Sequence, residues 1–221
     1  IGINKDMIKN RITKWTDAHK ERAKRRNNRA EEGRDKIPID KEYFSSELAK
    51  HIDHNTIILS EGGVAFNQFI FNNPGSAFDF PTSGSLGWGI GASLGAKLAA
   101  PEKTVICTIG DGSYIFGSGT AGHIISQLQN LPILFIVWNN GHWLSTKNAT
   151  KNMLPNGYAA STNNFPFTAL SQSFSFEMIC QASGGYGECV SDPKEIPAAI
   201  ERGLHAVNVE KRQALLNIIG S

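Results

Sequence analysis

The chain has 221 residues, 40% of them hydrophobic, and a net charge of +2. That is enough for one sizeable core, and too near neutrality to point to nucleic acid as a partner. The longest apolar run, LPILFIVW, is too short to cross a bilayer. The three cysteines, Cys107, Cys180 and Cys189, fit no metal spacing and follow no secretory signal, so free thiols in a reducing, cytoplasmic setting are expected.

Residues 4–31 read as a helix that is nearly all polar after Trp15. Residues 1–36 hold 12 of the 22 Lys and Arg with 6 acids, so this segment is +6 and the remainder −4. The basic run KERAKRRNNR lacks apolar partners and reads as a solvated helix face rather than a polyanion-binding arm. Residues 1–37 are therefore expected to be a linker helix from a preceding domain, with residues 38–221 as the C-terminal domain of a longer protein. Asp40 is placed as a helix N-cap with Ile39 and Phe44 as a hydrophobic staple, ahead of the stripe Phe44, Leu48, Ile52. TIILS (56–60) reads as a strand ending at Glu61-Gly62-Gly63. Residues 86–100 read as a helix with glycines at 87, 89, 91 and 95. Such a cost in helix stability implies close approach of backbone or ligand.

TVICTI (104–109) and PILFIVW (132–138) are apolar throughout, and helical stripes lie between and after them. Residues 174–183 read as a helix and YGECV (186–190) as a strand. Asp192-Pro193-Lys194-Glu195 reads as a capping box opening another helix, and ALLNIIG closes the chain as a strand. Alternating elements with wholly apolar strands predict a doubly wound, mainly parallel α/β sheet covered by helices on both faces. Ligands in such sheets lie at the carboxyl ends of the strands.

Two glycine patterns adjoin in ICTIGDGSYIFGSGTAG (106–122). Gly117 to Gly122 reads G-x-G-x-x-G. Its first glycine, however, stands seven residues past the strand end, and the next strand ends in Asn139-Asn140 rather than an acid. Both features exclude a dinucleotide fingerprint and leave a lead into a tightly packed helix. Gly110-Asp111-Gly112-Ser113 follows its strand directly. With Asn139-Asn140 at the end of the next strand, it offers a carboxylate, an amide oxygen and close backbone, which is what Mg²⁺ takes when it ties a diphosphate to strand ends.

G-D-G-S…N-N-G resembles the diphosphate-binding motif of thiamine diphosphate enzymes. The chain is similar to the C-terminal cofactor domain of the acetolactate synthase and benzoylformate decarboxylase group. The likeness runs from about Pro38 to Ile219, including SGSLGWGIGASLGAKLAAPEKTVICTIGDGS, and extends more loosely to the helix before it. GDGSYIFG, ASGGYGE and EKRQALLNII resemble a broad branch of thiamine pyrophosphate-requiring proteins.

The resemblance implies thiamine diphosphate and Mg²⁺ as cofactors. It implies Asp111, Asn140 and the backbone carbonyl of His142 as metal ligands. Gly112 N–H and the Ser113 hydroxyl would sit on phosphate, with Trp143 beside them at the cofactor. Leu86, 25 residues before Asp111, matches the bulky residue that wedges under the cofactor, and the Gly84 carbonyl matches its aminopyrimidine contact. The implied activity is that of a lyase or carboligase on 2-oxo acids. The activating glutamate would come from the pyrimidine-binding domain of a second subunit in a homo-oligomer, not from Glu61, whose place matches the domain's first strand. FAD, bound by some relatives in a middle domain, would lie outside this chain. Trp143 departs from the acetolactate synthase pattern, standing earlier than the substrate-selecting tryptophan of that enzyme. An oxalyl-CoA decarboxylase-like lyase and a non-catalytic cofactor-binding subunit are the alternatives.

Overall fold

The computed structural model describes residues 4–80 and 85–221. Its described strands are β1 (Thr56–Glu61), β2 (Ala77–Asp79), β3 (Thr104–Gly110), β4 (Ile133–Asn139), β5 (Tyr186–Val190) and β6 (Ala214–Ile219). They form one sheet in the order β2-β1-β3-β4-β6-β5, and every pairing is parallel. The helices are α1 (Lys5–Gly33), α2 (Lys41–Ala49), α3 (Trp88–Ala99), α4 (Asp111–Phe116), α5 (Gly119–Leu128), α6 (Leu144–Met153), α7 (Tyr158–Thr162), α8 (Phe176–Ala182) and α9 (Ile196–Asn208).

The pleat divides the apolar strands between two cores, since successive side chains point to opposite faces. Ile58, Ile106, Leu134, Ile136, Trp138, Leu216 and Ile218 pack with Phe44 and Leu48 of α2 and Ile196 and Ile200 of α9. Leu59, Val105, Cys107, Ile109, Ile133, Phe135 and Val137 pack with Ile90 of α3, Tyr114 of α4 and Phe176 and Cys180 of α8. This is the doubly wound architecture: the central strands are mostly apolar because both of their faces are covered. Burial pushes the Cys107 and Cys180 thiols up to about 12, so both are inert packing groups at neutral pH.

Local chemistry fixes the helix entries. The Asp40 carboxylate accepts from the N–H groups of Glu42 and Tyr43 at 2.9 and 3.2 Å, and Ile39 and Phe44 are both fully buried across that cap. Asp192 accepts from Lys194 N–H at 2.9 Å, with Pro193 opening a short 3₁₀ turn that leads into α9. In α1 only Ala30 and Gly33 are buried; Met7, Ile12 and Trp15 are exposed. No described helix is long and apolar enough to cross a membrane.

The G-x-G-x-x-G stretch serves packing. A Cβ at Gly119 would enter the Tyr114 ring, and one at Gly122 would strike Ile90. Gly117 touches Gly87 backbone to backbone; a Cβ on either would collide with the other's Cα. The glycines of α3 divide accordingly. Gly87 and Gly89 face this contact and Cys107, whereas Gly91 and Gly95 have open space beside them.

The chain leaves β1, adds β2 on one side, and returns to place β3 on the other. The strand order therefore reverses at β1 and β3, and a crevice opens at their carboxyl ends, where such sheets take ligands.

Candidate cofactor site

That crevice is a cleft of about 260 Å³. The end of β1 contributes Glu61, Gly62 and Gly63, and the end of β3 contributes Gly110, Asp111, Gly112 and Ser113. Asn140, His142 and Trp143 follow β4, while Leu86 comes from the lead into α3 and Lys41 from α2. Leu144, Ser145, Thr146 and Asn148 of α6 form one wall. Seven of the eight expected site residues thus face one space. Gly84 lies outside the described residues.

The two motifs meet through Asp111. This side chain is 2% exposed. One carboxylate oxygen accepts from Gly112 N–H and the other from Gly141 N–H, each at 2.8 Å. Burial pushes its carboxyl above the usual range, while N–H groups of Gly112, Gly141 and His142 pull it back. No cationic side chain pairs with it among the described residues. A buried carboxylate held only by backbone dipoles is a site suited to a cation.

The paired asparagines separate their tasks. Asn139 is fully buried and donates to Gln172 O and Asn217 Oδ1, tying β4 to β6 and to the loop before α8. Asn140 turns to the cleft, where its Oδ1 accepts from His142 N–H at 2.9 Å. Among the described residues no group of three or more His, Cys, Asp or Glu side chains converges on a metal-sized site. With Glu61 committed to Gly87 and Gly89, the donors at the Asp111 turn are one carboxylate, one amide oxygen and backbone. That hard, oxygen-only and incomplete set suits Mg²⁺, which keeps waters and phosphate oxygens in its shell.

The Gly112 N–H, expected on a phosphate, is instead engaged by Asp111 Oδ1 in this structure. The Trp143 ring lies against Gly112, where a Cβ would come within 2.7 Å of ring atom Cε3. Among the described residues the Ser113 hydroxyl makes no hydrogen bond, so it is available to a ligand. His142 is half-buried, and its Nδ1 has no partner among the described residues. Leu86 is 39% exposed, so it is a cleft residue and not a core leucine.

Glu61 is the residue whose work the sequence concealed. It is 6% exposed. Its two carboxylate oxygens accept from Gly87 N–H at 2.6 Å and Gly89 N–H at 2.7 Å. The residue preceding α3, Gly87, has no side chain with which to cap it, so a strand-end carboxylate does so from β1. Glu61→Ala leaves those donors unmet and is expected to cost about 2–3 kcal/mol. Urea unfolding would read this as a lower midpoint, with Glu61→Gln recovering part of it; equal midpoints for Glu61→Ala and the parent would show that α3 needs no cap.

Comparison with known proteins shows the family of the chain. Residues 62–218 match the family described as "Thiamine pyrophosphate enzyme, C-terminal TPP binding domain". The chain belongs to this family. Its relatives include an acetolactate synthase large subunit of Mycobacterium tuberculosis, 30% identical over 181 residues, covering 78% of this chain and 31% of that protein. A benzoylformate decarboxylase of Pseudomonas aeruginosa is 47% identical over 68 residues, or 31% of this chain and 12% of its own length. The structure of a thiamine diphosphate-dependent 4-hydroxybenzoylformate decarboxylase from Rhodococcus jostii shares the fold. It superposes with a TM-score of 0.69 at 22% identity, covering 82% of this chain and 32% of that one. The chain thus spans about a third of the synthase to which it is similar. A thiamine pyrophosphate-binding domain accounts for both glycine patterns: one turns at the strand ends and the other packs the helices behind it.

Proposed function

We propose that this chain supplies the diphosphate- and Mg²⁺-holding half of a thiamine diphosphate-dependent active site that acts on a 2-oxo acid, as a decarboxylase or carboligase. The observation that carries the reading is the junction of Asp111 with the Asn140-Gly141-His142 turn at the strand ends. It sets a carboxylate with no paired cationic side chain among the described residues beside an amide oxygen, in a cleft that a diphosphate would enter. Asp111, Asn140 and the His142 carbonyl would hold the cation, and Ser113 would donate to a phosphate. When bound, thiamine diphosphate supplies the electron sink for loss of CO₂ from a 2-oxo acid.

The residues of this chain bind and orient. Leu86, at the lead into α3, would support the bound cofactor, and Trp143, resting on Gly112, would help exclude water from the cleft. Glu61 is committed to the N–H groups of α3 and is not free to serve as a proton acceptor. The resemblance implies that the activating carboxylate comes from a pyrimidine-binding domain, contributed by a second subunit of a homo-oligomer. Exposed Ile124, Ile125 and Leu128 of α5 and Leu98 of α3, beside the open flanks of Gly91 and Gly95, offer such a domain an apolar face.

Titration calorimetry of thiamine diphosphate into the protein, with Mg²⁺ and with EDTA, tests the reading. Binding that requires the cation is expected. Absence of binding under both conditions, or equal binding in both, would overturn it.

A further inference from the structure

Lys41 was not among the residues expected at the cleft. It opens α2 directly after the Asp40 cap, on the face of the sheet opposite α3, because Phe44 of α2 and Ile90 of α3 belong to different cores. Its side chain runs over the Trp138 ring, with Nζ 5.6 Å from the ring centroid, and reaches the cleft lined by Gly62, Gly63 and Gly110 to Ser113. It is the one Lys or Arg among the residues lining that cleft. Among the described residues its ammonium has neither an ion pair nor a hydrogen bond. The two carboxylates of the same cleft are already engaged, Glu61 by Gly87 and Gly89 and Asp111 by Gly112 and Gly141.

A half-buried ammonium with no counter-charge is costly unless something anionic enters. Burial already holds the Lys41 amine below the ordinary lysine range. A diphosphate joined to one divalent cation keeps residual negative charge, and the Asp111 carboxylate would add more at the cation. Lys41 and Leu86 enter from opposite faces of the sheet. Lys41 lines the same cleft as Asp111, Gly112 and Ser113, which the reading above assigns to the metal and the phosphates.

We propose that Lys41 is a cofactor-binding residue that pairs with the terminal phosphate of thiamine diphosphate and selects the diphosphate over the monophosphate. This rests on the reading of the cleft given above and adds a second cation to it, supplied by α2 rather than by the strand-end loops. Lysine serves here as a mobile point charge on a long stem, and Trp138 steadies the stem through its ring face.

Calorimetry with Mg²⁺ and two ligands, thiamine diphosphate and thiamine monophosphate, tests it on the parent, Lys41→Met and Lys41→Arg. Lys41→Met is expected to weaken diphosphate binding about tenfold and monophosphate binding by less than about twofold, with Lys41→Arg retaining most of the diphosphate affinity. The parent should also lose diphosphate affinity more steeply with added salt than Lys41→Met does. Unchanged diphosphate affinity in Lys41→Met would overturn the assignment. An equal loss for both ligands would overturn it too, since that is the mark of disturbed packing on Trp138. If the parent itself shows no Mg²⁺-dependent binding, the reading of the cleft fails instead, and the two failures stay distinct.

Discussion

Asp111→Ala is expected to abolish Mg²⁺-dependent binding of thiamine diphosphate, lowering affinity by more than about 100-fold. Groups that only support a metal ligand are worth about 10–100-fold, and a direct ligand is worth more. Asp111 is the strand-end carboxylate that adjoins the Asn140-Gly141-His142 turn, and the cation must offset a diphosphate there. It also ties the Gly112 and Gly141 N–H groups together, so alanine loosens the turn as well as removing the charge. Asp111→Asn separates the two effects: it keeps the size and one carbonyl acceptor but drops the charge. Calorimetry should show both variants without Mg²⁺-dependent affinity, and thermal melting should show Asp111→Asn closer to the parent than Asp111→Ala. Retained Mg²⁺-dependent affinity in Asp111→Asn would remove Asp111 from the metal's ligands. Because burial raises this carboxyl, protonation competes with the cation at higher pH than at an exposed aspartate. Affinity should therefore begin to fall earlier on acidification.

Leu86→Ala is expected to lower turnover about 100-fold while changing cofactor affinity far less. A residue that sets the angle of the reacting atoms acts on geometry, and small misplacement there has that effect. The structure supplies the control. Leu86 is 39% exposed on the cleft, so truncation leaves no core cavity, and stability should stay within about 0.5 kcal/mol of the parent. Turnover is read on the protein assembled with its pyrimidine-binding domain, and affinity on the same sample by calorimetry. Parallel loss of turnover and affinity would make Leu86 an ordinary contact.

Much of this site could be read from the chain because buried parallel strands announce themselves. β3 and β4 are mostly apolar and buried on both faces, and the residues that follow them, Asp111 and Asn140, fall at the ligand end of any such sheet. The rest was hidden for particular reasons. β2, at the sheet edge, is three residues, Ala77-Phe78-Asp79, with its last two exposed; nothing that short carries a period. α4 begins in glycine-rich turn chemistry, so GDGSYIF reads as a loop although it folds as a helix. α6 and α7 bury no residue, which leaves no apolar stripe to find, yet α6 walls the cleft. Lys41 and Glu61 escaped because their partners are distant in sequence. A capping pattern at Asp40 says nothing of where the next side chain points. A carboxylate at a strand end gives no sign that it caps a helix 26 residues on.

The contact between Gly87 and Gly117 sets a rule for anyone recombining this domain with its relatives. The first glycine sits beside Leu86 and the second closes α4, so the ring-angle segment and the phosphate turn rest on each other through bare backbone. A side chain at either position forces the two loops apart, and no adjustment of rotamers can absorb it, because both partners are main chain. Segments 85–100 and 111–122 are therefore one inheritance unit. A chimera that splices between them should lose the alignment of the cleft unless both parents carry glycine at both positions. A crossover after β4 leaves that contact whole and is the better place to exchange substrate-facing parts such as α6.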